Sequence, residues 1–262
     1  MRDWLWSVPA LVVAVGLGVV WWRARRQNAQ LERLLGAQDD KLERLQRQFE
    51  RFVPADVVER LTDANDGFAP ERRQVTILFA DLRDFTAMSE RLDPAVTVGI
   101  LNGYFGQMIA AIEKHHGHVT ELVGDGLLAL FGALEPNPWQ ARDAVLAALE
   151  MRRALANYNT ELRAKQLPEL RFGVGIHCGE VVAGVIGTAG LSKFSVTGDP
   201  INVASRIEGL TRTFKVDLLV SDEVRQALDD QFLMRAMPTV QVKGKTDPIQ
   251  TWLVESLRAR GD

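Results

Sequence analysis

The sequence predicts an α+β domain on a ferredoxin-like βαββαβ core, with an N-terminal transmembrane helix and a coiled-coil helix ahead of it. Three observations carry that expectation. From about residue 70 onward, apolar runs of strand and helix period alternate, with no internal repeat or low-complexity stretch. His118 to Phe131 reads as a β-hairpin, two apolar arms around a three-residue turn, Gly124-Asp125-Gly126. Near the start, Leu5 to Trp22 gives 18 residues without a charge.

Residues 4–22 are assigned to the transmembrane helix. The uncharged stretch would span about 27 Å as a helix, enough to cross a bilayer. Trp4 and Trp6 lie at one end and Trp21 and Trp22 at the other, as in interfacial aromatic belts. A cleaved signal peptide is the competing reading, but no small-residue cleavage site follows the apolar run. Arg23, Arg25 and Arg26 outweigh Arg2, so a single-pass protein of the cell membrane with its C-terminal bulk in the cytoplasm is expected. Over residues 27–52, Leu31, Leu35, Gln38, Leu42, Leu45, Phe49 and Phe52 recur at alternating steps of four and three. That is a heptad seam, which implies a partner helix; a lone amphipathic helix is the alternative. Pro54 ends the pattern, and residues 53–69 read as a linker with a short helix.

Residues 70–258 form the remaining domain. A strand is expected from Gln74 to Ala80, then a helix from Pro94 to Lys114 burying Ile100, Leu101, Tyr104, Phe105, Met108 and Ile112. The hairpin follows, with Val119, Glu121 and Val123 on one face of its first arm. Next come a helix from Trp139 to Arg163 and a strand from Arg171 to His177. Further strands are read at Phe194–Val196, Val216–Val220 and Ile249–Val254.

Composition narrows the function classes. With 262 residues, 47% hydrophobic and 25% charged, the chain is neither disordered nor fibrous. A net charge of −3 and no basic patch interleaved with aromatics argue against nucleic acid as a partner. One cysteine, Cys178, excludes an intramolecular disulfide, and its place in a strand-like run makes it core filler rather than a nucleophile.

Chemistry-bearing residues gather at strand ends. Asp81 follows the apolar run Val75 to Ala80, and Asp125 sits in the hairpin turn. A lone Gly-Asp-Gly is ordinarily just a turn. Two carboxylates delivered by neighbouring strand ends, however, suit Mg²⁺ or Mn²⁺, which take hard oxygen ligands and share their shell with phosphates. Asn202 and Arg206, four apart after a Gly-Asp-Pro turn, share a helix face. His115, His116 and His118 could be read as a metal site, but a helix-to-strand turn makes solvated residues the better reading.

Four segments in order, Leu78-Phe-Ala-Asp-Leu-Arg-Asp-Phe-Thr86, Val123-Gly-Asp125, Gly175-Ile-His-Cys-Gly179 and Gly198-Asp-Pro-Ile-Asn-Val-Ala-Ser-Arg206, make the chain resemble the catalytic domain of class III nucleotidyl cyclases. The resemblance covers about Arg51 to Glu255. It implies conversion of a nucleoside triphosphate to a 3′,5′-cyclic nucleotide and pyrophosphate, with two divalent ions, Mg²⁺ or Mn²⁺, held by Asp81, Asp125 and the carbonyl of Leu82. It further implies that backbone N–H groups around Phe85 and Thr86 take phosphate oxygens, Asn202 orients the ribose, Arg206 stabilises charge on the α-phosphate and Lys243 meets the terminal phosphates. The family usually has glycine at the position of Asp84, and an arginine at that of Gly173, for which Arg171 on the same strand face could substitute. Its sites lie between two catalytic domains, so a homodimer is expected in which Asp81 and Asp125 of one subunit face Glu121, Ser195, Asn202, Arg206 and Lys243 of the other.

Glu121 and Ser195 occupy the positions that read the base. Adenylate cyclases that the chain resembles usually carry lysine in place of Glu121. A carboxylate only accepts, and guanine offers N1–H and N2–H₂ as donors, so GTP is expected over ATP; the Ser195 hydroxyl suits either base. A diguanylate cyclase is disfavoured because Val-Gly-Asp-Gly-Leu lacks the second acidic residue of that turn. An inactive cyclase-like dimerisation module at the membrane is the alternative from a different class.

Overall fold

The computed structural model describes residues 70–258, apart from 189–190 and 242–247. The expected transmembrane helix at 4–22, coiled coil at 27–52 and linker at 53–69, together with Lys243, lie outside the described residues.

The apolar run Val75 to Ala80 becomes the middle of a long central strand, β1 (Glu71–Leu82). Thr76, Ile77 and Leu78 are fully buried, as an unbroken apolar run requires. Asp81 is thus the penultimate residue of the strand, not the first residue beyond it. After it come a short helix α1 (Phe85–Ser89) and α2 (Pro94–Glu113), the latter capped by the Asp93 carboxylate, which accepts from the N–H of Ala95 at 2.8 Å. By length and composition α2 could cross a membrane. Here Ile100, Tyr104, Met108 and Ile112 instead pack into the core.

The hairpin consists of β2 (Gly117–Val123) and β3 (Gly126–Phe131), followed by α3 (Gln140–Ala164) and β4 (Phe172–Thr188). The four strands lie in the order β2-β3-β1-β4, with every neighbouring pair antiparallel, the ferredoxin-like arrangement. Leu78, Ala80, Leu127 and Ala129 point to the face covered by α2 and α3; Val75, Ile77, Leu128 and Leu130 point to the other.

Two details of the hairpin depart from the sequence reading. Val123 pairs with Gly126, so the turn has two residues, Gly124 and Asp125, and Gly124 supplies a φ of 62° at the first of them. The register also shifts between Val119 and Glu121. Val119 opposes Ala129 whereas Glu121 opposes Leu128, which belongs to the other face. The bulge at Thr120 therefore separates Val119 and Glu121, which simple alternation placed together.

Beyond the core, β4 continues into a hairpin with β5 (Leu191–Thr197), then α4 (Asp199–Phe214), β6 (Leu218–Ser221), α5 (Asp222–Gln226), β7 (Phe232–Ala236) and β8 (Thr251–Leu257). β6 joins β4 in parallel and extends the sheet through β8 to β7. α4 lies against β4 because glycines there leave no side chain in the way. A Cβ on Gly175 would run into the backbone of Glu208 and Ala204, and one on Gly179 into Pro200.

Candidate active site

The β1–β3 ladder ends with Ala80 opposite Leu127. One step further, Asp81 comes opposite Gly126, the residue after Asp125. A Cβ on Gly126 would lie 3.1 Å from Asp81 Oδ1 and 3.3 Å from the Ala80 carbonyl oxygen, so the glycine keeps a cleft open beside that carboxylate. The Asp81 carboxyl is held above the ordinary carboxylate range, chiefly by burial and next by the charge of Asp125. Arg212 on α4 and a hydrogen bond from the Leu82 backbone oppose that shift. Two half-buried carboxylates close enough for the charge of one to act on the other, beside a cleft and a backbone carbonyl, form a hard-oxygen donor set with a deficit of positive charge, which fits Mg²⁺ or Mn²⁺. Among the described residues no group of three or more His, Cys, Asp or Glu side chains could hold a metal ion. His115, His116 and His118 are accordingly no metal cluster.

After Leu82 the chain turns into α1. Asp84 is its N-cap in a left-handed conformation, φ 57° and ψ 21°, and makes no side-chain cap. Glycine adopts that backbone without cost, and aspartate is among the residues that tolerate it. Phe85 is buried and Thr86 exposed, and their N–H groups open the first helical turn. Gly173 lies opposite Asp81. The space over it is filled by the side chains of Thr211, Glu208 and Arg83, which leaves no room for an arginine there. Arg171 instead reaches Asp84 Oδ2 at 3.4 Å.

Four neighbours of Asp81 escaped the sequence reading. Glu208 has its carboxyl pushed up to about 7, by burial first and by Asp81 next. Arg212 Nη2 stands 3.9 Å from Asp81 Oδ2. Arg83 donates to Thr211 Oγ1 at 2.8 Å and to the Val216 carbonyl at 2.7 Å, tying the β1 exit to the end of α4. Tyr104, fully buried on α2, has a hydroxyl with no hydrogen-bond partner, and burial with the charges of Asp81 and Asp125 keeps its proton firmly bound. The available signal was the Gly173-Val-Gly175 spacing, two small residues on one strand face against which a helix must settle.

The other expected site residues do not join Asp81 within one chain. Asn202 and Arg206 are on α4, and at 3.6 residues per turn Arg206 is rotated by about 200° from Glu208, away from the face toward Asp81. One Arg206 guanidinium nitrogen is buried without a partner. Ser195 pairs with Gly184 on β4. The β1–β4 ladder runs from Asp81 opposite Gly173 to Glu71 opposite Ala183, so Ser195 sits near the far end of β1, roughly 33 Å from Asp81 at strand rise. Glu121 is half-buried beside Leu128. Cys178 has its thiol pushed up to about 11 by burial, in keeping with a packing role.

Residues 69–256 match the family model described as the adenylate and guanylate cyclase catalytic domain. An adenylate cyclase of Anabaena cylindrica is 35% identical over 230 residues, 83% of this chain and 44% of that protein. The chain thus spans less than half the length of that relative. Among solved structures, a guanylyl cyclase aligns with a TM-score of 0.67 and 38% identity over 72% of this chain and 94% of its own. An adenylyl cyclase from P. aeruginosa aligns with a TM-score of 0.68 and 27% identity, covering 74% of this chain and 100% of its own.

Proposed function

The chain belongs to the adenylate and guanylate cyclase catalytic-domain family, and from that premise we propose that it converts GTP to cyclic GMP and pyrophosphate at two sites shared across a homodimer. The observation that carries this reading is the pairing of Asp81 at the end of β1 with Asp125 in the hairpin turn, where burial and mutual repulsion hold the Asp81 carboxyl high.

Asp81, Asp125 and the Leu82 carbonyl would hold two Mg²⁺ or Mn²⁺ ions, which supply Lewis-acid activation of the ribose 3′-hydroxyl and neutralise the departing pyrophosphate. The N–H groups of Phe85 and Thr86 donate to phosphate oxygens. From the second subunit, Asn202 orients the ribose, Arg206 stabilises the charge that develops on the α-phosphate, and Lys243 meets the terminal phosphates. Glu121 accepts from guanine N1–H and N2–H₂, and the Ser195 hydroxyl donates to O6. Leu122 and Val123, 50% and 66% exposed at the hairpin tip, are apolar surface for a second subunit to cover. Residues 4–22 would anchor the dimer in the cell membrane, and the 27–52 seam would pair its helices.

One observation favours ATP instead: the Anabaena relative is named an adenylate cyclase. The two readings separate in an assay of the full chain with GTP and ATP in parallel, Mn²⁺ present and pyrophosphate release as readout. Release with GTP at a several-fold higher kcat/KM is expected. Preference for ATP would overturn the choice of base, and release with neither nucleotide would leave an inactive dimerisation module.

A further inference from the structure

Behind the turn that leaves β1 lies a cavity of about 710 Å³ that neither Asp81, Asp125, Asn202 nor Arg206 lines. Its floor is apolar, made by Leu155, Leu170, Phe172 and Leu253. Its rim is cationic, with Arg83, Arg171, Arg212 and Lys215. Arg152 also borders it, but that guanidinium is fully engaged with Asp217 at 2.7 Å and with the carbonyls of Glu255 and Val254 at 2.7 and 2.9 Å.

The acids on the wall do not balance this rim. They are Asp84 and Asp217. Asp217 is taken by Arg152, and Asp84 meets Arg171 at 3.4 Å with both side chains 76% exposed, a contact of little weight. Arg83 donates to the neutral oxygens of Thr211 and Val216, and the carboxyl that acts on it most, Glu208, is itself pushed up to about 7. Arg212 comes no nearer than 3.9 Å to Asp81. Lys215, the left-handed C-cap of α4, has no carboxylate partner among the described residues. An excess of positive charge in a concave wall focuses field on an anion, and a mostly apolar cavity with a few convergent charges has the make-up of a ligand site.

We propose that this groove binds a small phosphate-bearing anion at a place separate from the reacting nucleotide. Guanidinium groups suit phosphate oxygens in bidentate pairs, and the volume lies within the ordinary range for small-molecule sites. The phosphate can come from free pyrophosphate or from a nucleotide diphosphate whose base would rest on the apolar floor. Arg212 is shared between the groove and Asp81, so an occupant draws on the guanidinium that offsets the repulsion between Asp81 and Asp125.

The test is calorimetric titration of the full chain with pyrophosphate and, separately, guanosine diphosphate, in EDTA. Without divalent ions the readout does not depend on cyclase activity, so this inference and the proposed function can fail independently. Saturable binding is expected in the wild type and in Arg206→Ala. In Lys215→Asn with Arg171→Gln the Kd should rise at least tenfold with an unchanged thermal midpoint, since both side chains are exposed and asparagine tolerates the left-handed cap. Each single variant should show part of the loss. Binding of pyrophosphate alone assigns the site to the bare anion, and binding of guanosine diphosphate alone assigns it to a nucleotide; either supports the inference. No saturable binding up to millimolar anion would overturn it. So would binding that Arg206→Ala abolishes and the double variant keeps.

Discussion

At Glu121 a carboxylate occupies a half-buried place on the arm of the hairpin, opposite Leu128. A carboxylate can only accept hydrogen bonds, so a base that presents two N–H donors there is favoured over one that presents an acceptor at N1. Glu121→Lys reverses that complementarity. The ratio of kcat/KM for GTP over ATP should fall by roughly tenfold or more, because sites built on buried hydrogen bonds discriminate strongly. Initial rates with each nucleotide measure it, and an unchanged ratio would remove Glu121 from base recognition. Glu208 makes a separate prediction about stability. Its carboxyl is raised from 4.5 to about 7 by burial and by Asp81, so between those values the folded chain holds a proton that the unfolded chain has released. The stabilising effect of that proton is complete below 4.5 and is lost as the pH rises to about 7. Glu208→Gln should flatten this part of the profile, and thermal midpoints measured from pH 5 to pH 8 would show its slope decrease relative to the wild type.

The packing of α4 on β4 is set by backbone rather than by side chains. A methyl group on Gly175 meets the Glu208 backbone and the Ala204 carbonyl, atoms that cannot swing aside as the tip of a side chain could. Gly175→Ala should therefore destabilise the domain by about 1–3 kcal/mol, the usual cost of overpacking, and denaturant midpoints should fall accordingly. Gly99→Ala, in the exposed interior of α2 with nothing within 4 Å, is the control and should stabilise the domain by up to about 1 kcal/mol through helix propensity. The same region marks the limit of what the sequence discloses. The runs that became β1, α2, the hairpin and α3 were legible because burial on one stripe or on both faces leaves a periodic trace. β4 was read to His177 but continues to Thr188, since its glycines carry no hydrophobic period. β7 left no clear trace either: Phe232 is its only buried residue. The bulge at Thr120 is a matter of register, which only the partner strand specifies. At the site, Asp81 and Asp125 could be read because each closes an apolar run. Glu208, Arg212 and Tyr104 could not, since what joins them to Asp81 is the docking of α4 and α2 on the sheet.

Taken as a whole, one chain does not bring the residues proposed for the nucleotide site together. Asp81 and Ser195 stand roughly 33 Å apart along the sheet, and the α4 face nearest Asp81 presents Glu208 and Arg212 rather than Asn202 and Arg206. The proposed two-fold pairing would resolve this, because an isologous dimer could lay the α4 of one subunit against the aspartates of the other and form two equivalent centres. The consequence is quantitative. Asp81→Ala and Arg206→Ala chains should each be inactive alone. In a heterodimer, one centre carries both substitutions and the other carries neither. Equal mixing with free exchange makes half of the dimers heterodimers with half of their centres intact, so about a quarter of wild-type activity should return. Co-expression with two affinity tags, followed by assay of the doubly purified dimer, isolates that species and should give about half of the wild-type rate per dimer. If the doubly tagged dimer is as inactive as its parents while its thermal midpoint matches the wild type, the sites are not shared, and Asn202 and Arg206 must serve something other than the nucleotide held at Asp81.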